Sequence, residues 1–168
     1  MNLKFRKLET ENQQRLKEVV RIWNAYIMSI PLDQRVIVDY QTLMNELDKN
    51  NRILIESIFS INPVELGWKG PYYSKEPADD LIKLNSVKFI GDNYERESGV
   101  QYFPKHAYRD FMQMSDSMEK SIGRRVFIDS GYRSPGRQAF LFIKYLVKEN
   151  NFSLFENAKW IAMPGYSE

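Results

Sequence analysis

The chain has 168 residues, and its apolar fraction of 43% and aromatic fraction of 14% suit a folded core rather than a disordered chain. The 24 basic residues nearly balance 22 acidic ones, and no run of Lys or Arg is long enough for a nucleic-acid groove, so nucleic acid is not an expected partner. The absence of cysteine excludes disulfides, thiol catalysis and cysteine-based zinc sites.

The sequence carries no visible export signal or membrane span. Positive charges within residues 1–7 lead into the polar stretch 9–14, where a signal peptide would be apolar. No apolar run approaches the roughly 20 residues of a membrane-spanning helix. We expect no membrane span, and the localisation stays open.

Residues 1–60 are predicted to form a helical segment. Apolar residues in 11–29 recur at three- and four-residue steps between charged residues, and Pro31 ends the pattern. A second helical stretch covers 36–59, and the Asn-Asn pair at 50–51 is a candidate break within it. No catalytic pattern occurs here, so we expect a segment for packing or docking.

The middle of the chain changes composition. Residues 62–79 are rich in Pro, Gly and aromatic residues, which predicts a loop whose aromatics either line a ligand site or pin the loop to the core. Residues 81–90 mix helix and strand signals. A helix is predicted from Pro104 to the stop signal at Gly123, followed by an apolar strand over 125–129.

The last part again alternates helix and strand. Ser134 and Pro135 fit the N-cap and first turn of a helix, and a helical piece over 154–160 leads to a predicted strand over 160–162. Helices and strands joined by short connections predict an α+β domain over residues 61–168, whose sheet is only begun.

Arg133 is the strongest candidate for chemistry. It lies between the predicted strand and the N-terminus of the next helix, where free N–H groups and the helix dipole favour an anion. Its guanidinium can hold a carboxylate or an oxyanion through two parallel hydrogen bonds. Gln138 can aim an amide at the same pocket, and Tyr132 contributes a phenol or simply packs. The alternative is that Arg133 caps a local carbonyl or pairs with Asp129.

His106 is the only histidine and gives no metal signature. It has no His or carboxylate partner at a metal-binding spacing, so a surface or capping role is expected. Catalytic zinc normally needs three protein ligands and an open position. No metal site is therefore predicted within this chain.

Two stretches resemble motifs of a known family. Residues 127–134 read Phe-Ile-Asp-Ser-Gly-Tyr-Arg-Ser and are followed by Gln138, and residues 163–168 read Met-Pro-Gly-Tyr-Ser-Glu. They resemble the Ser-Gly-Tyr-Arg-Ser block and the Pro-Gly-x-Ser-Glu-His stretch of VanY-type D-alanyl-D-alanine carboxypeptidases. The resemblance covers residues 80–168, and the two motifs at this spacing make it fairly specific.

The resemblance implies a zinc hydrolase that acts on cell-wall peptides ending in D-Ala-D-Ala. In that family the first zinc-binding histidine comes directly after Ser-Glu, so we expect the chain ending at Glu168 to be a portion that binds no zinc and hydrolyses nothing alone. By the same analogy Arg133 would bind the substrate carboxylate or stabilise the tetrahedral intermediate. The other residues implied to line the pocket are Tyr132, Ser134, Gln138 and Ser167.

Two other hypotheses follow from the residues. One is a non-catalytic module that binds a peptide or cell wall through the Arg133 pocket. The other is a structural helical protein in which the motif occurs by chance. If the sheet is incomplete, its unpaired edge and uncovered apolar face predict marginal stability or self-association.

Overall fold

The computed structural model describes residues 8–72, 74, 78–91 and 94–166, and it confirms the α+β class. Two compact units are present: a helical unit, Met1–Pro77 with Ser134–Glu168, and a mixed unit, Ala78–Arg133. The predicted division into a helical segment over residues 1–60 and a domain over residues 61–168 stays a prediction.

Six α-helices and four β-strands lie in the described part of the chain, with 3-10 turns at Leu32–Val36 and Pro63–Leu66. None of these helices is both long and apolar enough to cross a membrane. In chain order the elements are α1 (Thr10–Ser29), α2 (Tyr40–Asn45), α3 (Lys49–Phe59), β1 (Leu81–Leu84), β2 (Lys88–Gly91), β3 (Tyr94–Glu97), β4 (Gln101–Pro104), α4 (Lys105–Ile122), α5 (Pro135–Lys148) and α6 (Leu154–Ala158).

The core of the helical unit is formed mainly by α1, α3 and α5. The apolar stripe that predicted α1 is buried, and within it the Trp23 indole donates a hydrogen bond of 2.7 Å to the carbonyl of Leu43. Phe59 of α3 meets Phe142 of α5 edge to face, with ring centroids 5.7 Å apart. Burial of these apolar surfaces is the main stabilising contribution.

The break between α2 and α3 does not lie at residues 50–51. The carboxylate of Asp48 caps α3 by accepting a hydrogen bond of 2.8 Å from the N–H of Asn51. Both asparagines therefore lie in the first turn of α3, and the predicted break was wrong by a few residues. A carboxylate at the N-cap satisfies a backbone N–H that the helix itself leaves unpaired.

The mixed unit contains two separate two-stranded antiparallel sheets. β1 pairs with β4 in the register Leu81↔Pro104, and β2 pairs with β3 in the register Lys88↔Glu97. Helix α4 follows β4 directly and ends at Gly123, whose φ of 67° suits glycine at this position. The mixed signals of residues 81–90 thus resolve into strands.

The strands predicted over 125–129 and 160–162 are not formed. In the first stretch the carbonyl of Val126 accepts a hydrogen bond of 3.0 Å from the hydroxyl of Ser115 on α4. In the second, the N–H groups of Trp160 and Ile161 both donate to the carbonyl of Asn157. In the first stretch a backbone group is bonded to a side chain, and in the second the backbone N–H groups are bonded within a turn. Neither set is paired with a neighbouring strand.

Candidate functional site

The first half of the motif is held against β4 in the mixed unit. The N–H of Gly131 donates to Oε1 of Gln101 at 3.0 Å, and the N–H of Tyr132 donates to the carbonyl of Tyr102 at 2.7 Å. A Cβ at Gly131 would collide with that same carbonyl oxygen, so only glycine fits this approach. The close contact explains why the motif needs a glycine here.

Tyr132 is a packed residue of the mixed unit. Its side chain is only 5% exposed, and its phenol oxygen accepts a hydrogen bond of 2.9 Å from the N–H of Ala78. Burial with a satisfied hydroxyl is the usual state of a structural tyrosine. Of the two roles considered for Tyr132, these contacts describe packing.

Ser134 starts α5, as the sequence predicted. Its hydroxyl accepts a hydrogen bond of 3.1 Å from the N–H of Arg137 and donates one of 2.6 Å to the carbonyl of Val38. A Cβ at Gly136 would collide with that carbonyl and would lie 2.7 Å from the backbone nitrogen of Tyr40. The N-terminus of α5 is therefore seated on the segment that precedes α2.

Gln138 connects the two sequence motifs. The side chain is buried, and its Nε2 donates a hydrogen bond of 2.7 Å to the carbonyl of Ala162, directly before Met163. Its Oε1 is also buried and has no hydrogen-bond partner among the described residues. A buried acceptor without a partner is costly unless a water or a ligand group donates to it.

Arg133 differs from Tyr132, Ser134 and Gln138, whose side chains are buried and hydrogen-bonded. It is half-buried, and its guanidinium makes no hydrogen bond or ion pair within the part of the chain that the structure describes. The carboxylate of Asp129 instead lies 2.7 Å from the guanidinium of Arg96. Neither the pairing of Arg133 with Asp129 nor the capping of a local carbonyl is observed among these residues.

The predicted site residues fall in both compact units. Tyr132 and Arg133 are the last two residues of the mixed unit, whereas Ser134 and Gln138 belong to the helical unit. Within the helical unit the structure brings Gln138 to the Ala162 segment. Ser167 lies outside the described residues, and nothing in the structure bears on its predicted role.

His106 lies at the exposed start of α4. The ring nitrogen Nδ1 is 3.4 Å from the carboxylate of Asp80, which also accepts a hydrogen bond of 3.2 Å from the backbone N–H of His106. Within the described ranges, no group of three His, Asp or Glu side chains could hold a metal ion. These residues do not fit the zinc that the family resemblance implies.

Sequence reasoning did not connect Tyr72 with Tyr166, which form one aromatic pair in the helical unit. Their ring centroids lie 5.3 Å apart in an edge-to-face arrangement. Tyr72 lies in the loop whose aromatics were considered for a ligand site, but Tyr166 was read only as part of the second motif. Their distance along the chain left no local signal for the contact.

Comparison of the chain with models of protein families, with curated proteins and with solved structures gave no match. The two motifs and the contacts of their residues are therefore the available indications of function. A fold alone would in any case not identify the function, because function is determined by the site.

Proposed function

We propose that the chain belongs to the VanY-type D-alanyl-D-alanine carboxypeptidases and that Arg133 binds the terminal carboxylate of cell-wall peptides ending in D-Ala-D-Ala. One observation carries the proposal. Gly131, Ser134 and Gln138 each have a structural contact that explains their residue type, whereas the guanidinium of Arg133 has none among the described residues.

A carboxylate is the ligand that this guanidinium suits best. Its N–H donors form a planar fork that matches the two oxygens of a carboxylate, and Arg remains charged at any physiological pH. A half-buried guanidinium is also less hydrated than an exposed one, which raises its attraction for an anion. A bond to a charged group of this kind contributes about 1.5–3 kcal/mol.

The contact between Gln138 and Ala162 supports the same proposal. In the resembled family, the residues equivalent to Gln138 and to the stretch before the metal ligand would line one pocket. Here the buried 2.7 Å hydrogen bond fixes that stretch to α5 within the helical unit. The hydrogen bond therefore links α5 to the residue before Met163, both within the helical unit.

The proposal for the described residues is limited to substrate recognition. Zinc in the resembled family supplies an activated water for hydrolysis. The described residues contain no suitable ligand group, so no hydrolytic step is assigned to them.

The second candidate is a binding module that recognises the same carboxylate without hydrolysis. Two observations on the described residues favour it: they make no hydrogen bond or ion pair to the Arg133 guanidinium, and they include no group of three side chains that could hold a metal ion. Release of D-Ala by the zinc-supplemented product of the full reading frame distinguishes the two, because neither candidate predicts hydrolysis by residues 1–168 alone. Binding together with D-Ala release supports the peptidase, and binding without it supports the module.

The experiment is a calorimetric titration with an N-acetylated peptide ending in D-Ala-D-Ala. Arg133→Ala is expected to weaken binding by about tenfold or more, because the charge-assisted bonds are lost. Arg133→Lys keeps the charge but not the fork, and an intermediate affinity is expected. Arg21→Ala is the matched control, since Arg21 is exposed and paired with Glu18. Equal affinity of wild type and Arg133→Ala, or no binding by either, would sink the proposal.

A further inference from the structure

A cavity lies within the helical unit, at the C-terminal end of α3. Its volume is about 440 Å³, within the size range of small-molecule sites. The motif around Arg133 contributes none of its described lining residues. Its lining includes Ser60, Asn62, Tyr72 and Tyr166.

Two tyrosines give this cavity an aromatic wall. The ring of Tyr72 is 54% exposed and stands edge to face with the ring of Tyr166. The backbone before Tyr166 is held in a turn, because Gly165 has a φ of 86° and the N–H of Tyr166 donates to the carbonyl of Met163 at 3.1 Å. The exposed ring of Tyr72, in contact with a Tyr166 whose backbone is fixed, is suited to a flat apolar surface of a ligand.

Asn62 and Ser60 add neutral polar groups. The Oδ1 atom of Asn62 accepts a hydrogen bond of 3.1 Å from the N–H of Val64, which orients the amide. Its Nδ2 group makes no hydrogen bond to the described residues and can donate to a ligand. The hydroxyl of Ser60 donates to the carbonyl of Ser57 at 2.8 Å, and its oxygen can still accept.

The described residues that line the cavity carry no formal charge. Among the described residues around the cavity there is no Asp, Glu, Lys, Arg or His. A charged ligand would lose hydration here without gaining an opposite charge, which is unfavourable. The chemistry therefore suits a ligand that has an apolar face, several hydroxyl or amide groups, and no charge.

We propose that this cavity binds a neutral saccharide. The C–H face of a pyranose ring would pack on the exposed ring of Tyr72 or Tyr166, and sugar hydroxyl or acetamido groups would bond to Asn62 and Ser60. The inference rests on these residues alone and is independent of carboxylate binding by Arg133.

The test is a titration of the protein with chitotriose and, separately, with cellotriose, and ligand-observed NMR measures the binding. Both trisaccharides are neutral; N-acetylated chitotriose carries an acetamido group on each ring, and cellotriose carries none. Tyr72→Leu and Tyr166→Leu keep apolar bulk but lose the flat ring, and each is expected to weaken binding at least about fivefold. Tyr166→Phe keeps the ring and should bind within about twofold of wild type. Tyr145→Leu, on an exposed part of α5, is the control and should bind like wild type.

Asn62→Asp provides a variant that does not disturb the backbone. A carboxylate can still accept the hydrogen bond from Val64, but it lacks the free N–H donor, so weaker saccharide binding is expected. No binding of either trisaccharide by wild type, or equal binding by wild type and both Leu variants, would overturn the proposal. Because neither trisaccharide has a carboxylate, such a failure would leave the proposal for Arg133 standing.

Discussion

Tyr40 illustrates how burial of a single residue changes its chemistry. It is the first residue of α2, and its ring packs edge to face on Phe59 with a centroid distance of 6.3 Å. Burial, together with the nearby carboxylate of Glu56, raises the pKa of the Tyr40 phenol to about 12. Both effects disfavour the phenolate.

This pKa predicts a loss of stability at high pH. Below pH ~10 the phenol is neutral in both the folded and the unfolded chain, so its full contribution to the free energy of unfolding is present. Above that pH the unfolded chain releases the proton first, and the free energy of unfolding falls until the folded pKa of about 12 is passed. Since the ring is partly exposed, the loss is about 1 kcal/mol.

Urea unfolding at a series of alkaline pH values checks this expectation. Tyr40→Phe should show a smaller fall in unfolding free energy than wild type, because the titrating group is gone. Tyr145→Phe removes a hydroxyl from a more exposed ring and should keep the wild-type fall. Lysines titrate in the same range in all three proteins, so only the difference between variants is diagnostic. An unchanged pH profile in Tyr40→Phe would contradict the assignment.

At the scale of elements, the start of α5 is fixed by a buried cap. The hydroxyl of Ser134 bonds both to Arg137 of its own helix and to Val38, which precedes α2. Ser134→Ala is expected to lower the free energy of unfolding by about 1–3 kcal/mol, because the carbonyl of Val38 would be left buried without its donor. Chemical denaturation measures the change.

Ser153→Ala is the matched control for this cap. Ser153 is the N-cap of α6, where its hydroxyl accepts one exposed hydrogen bond of 3.3 Å from the N–H of Glu156. The expected cost is about 0.5–1 kcal/mol, because water can replace that bond. Equal costs for the two substitutions would show that the Ser134–Val38 bond adds nothing to helix capping.

The helices could be predicted from the sequence because their signals are local. The apolar period of α1, the Gly123 stop of α4 and the Ser134 cap of α5 each depend on residues within a few turns. The predicted strands over 125–129 and 160–162 were wrong for the opposite reason. A short apolar run becomes a strand only if another strand pairs with it, and here the backbone groups bond elsewhere.

The candidate site was predictable only in part, for the same physical reason. The cap at Ser134 follows from its position directly before a helix, whereas the role of Arg133 stays a prediction. The link from Gln138 to Ala162 and the aromatic pair of Tyr72 with Tyr166 depend on tertiary contacts that no local pattern encodes. The predicted role of Ser167 stays a prediction.

At the scale of the whole molecule, the buried apolar cluster lies within the helical unit. In the mixed unit, the described buried side chains are Tyr132 and Ser115. Because local stability follows the amount of buried apolar contact, the mixed unit is expected to open at a lower free energy.

Native-state hydrogen exchange tests this difference on two long helices. The amides of α5, with 14 residues in the helical unit, should exchange more slowly than those of α4, with 18 residues in the mixed unit. Helix α1 is a second reference for slow exchange. Equal protection of α4 and α5 in their central turns would show that the two units unfold together.

The central claim is that Arg133 recognises a peptide carboxylate, and a double-mutant cycle with the ligand tests it most directly. The affinities of wild type and Arg133→Ala are measured for the D-Ala-D-Ala peptide and for the same peptide with a C-terminal amide. The account predicts that the substitution costs about tenfold or more with the free carboxylate and little with the amide. If the substitution lowers the affinity equally for both peptides, Arg133 does not recognise the carboxylate and the proposed function is wrong.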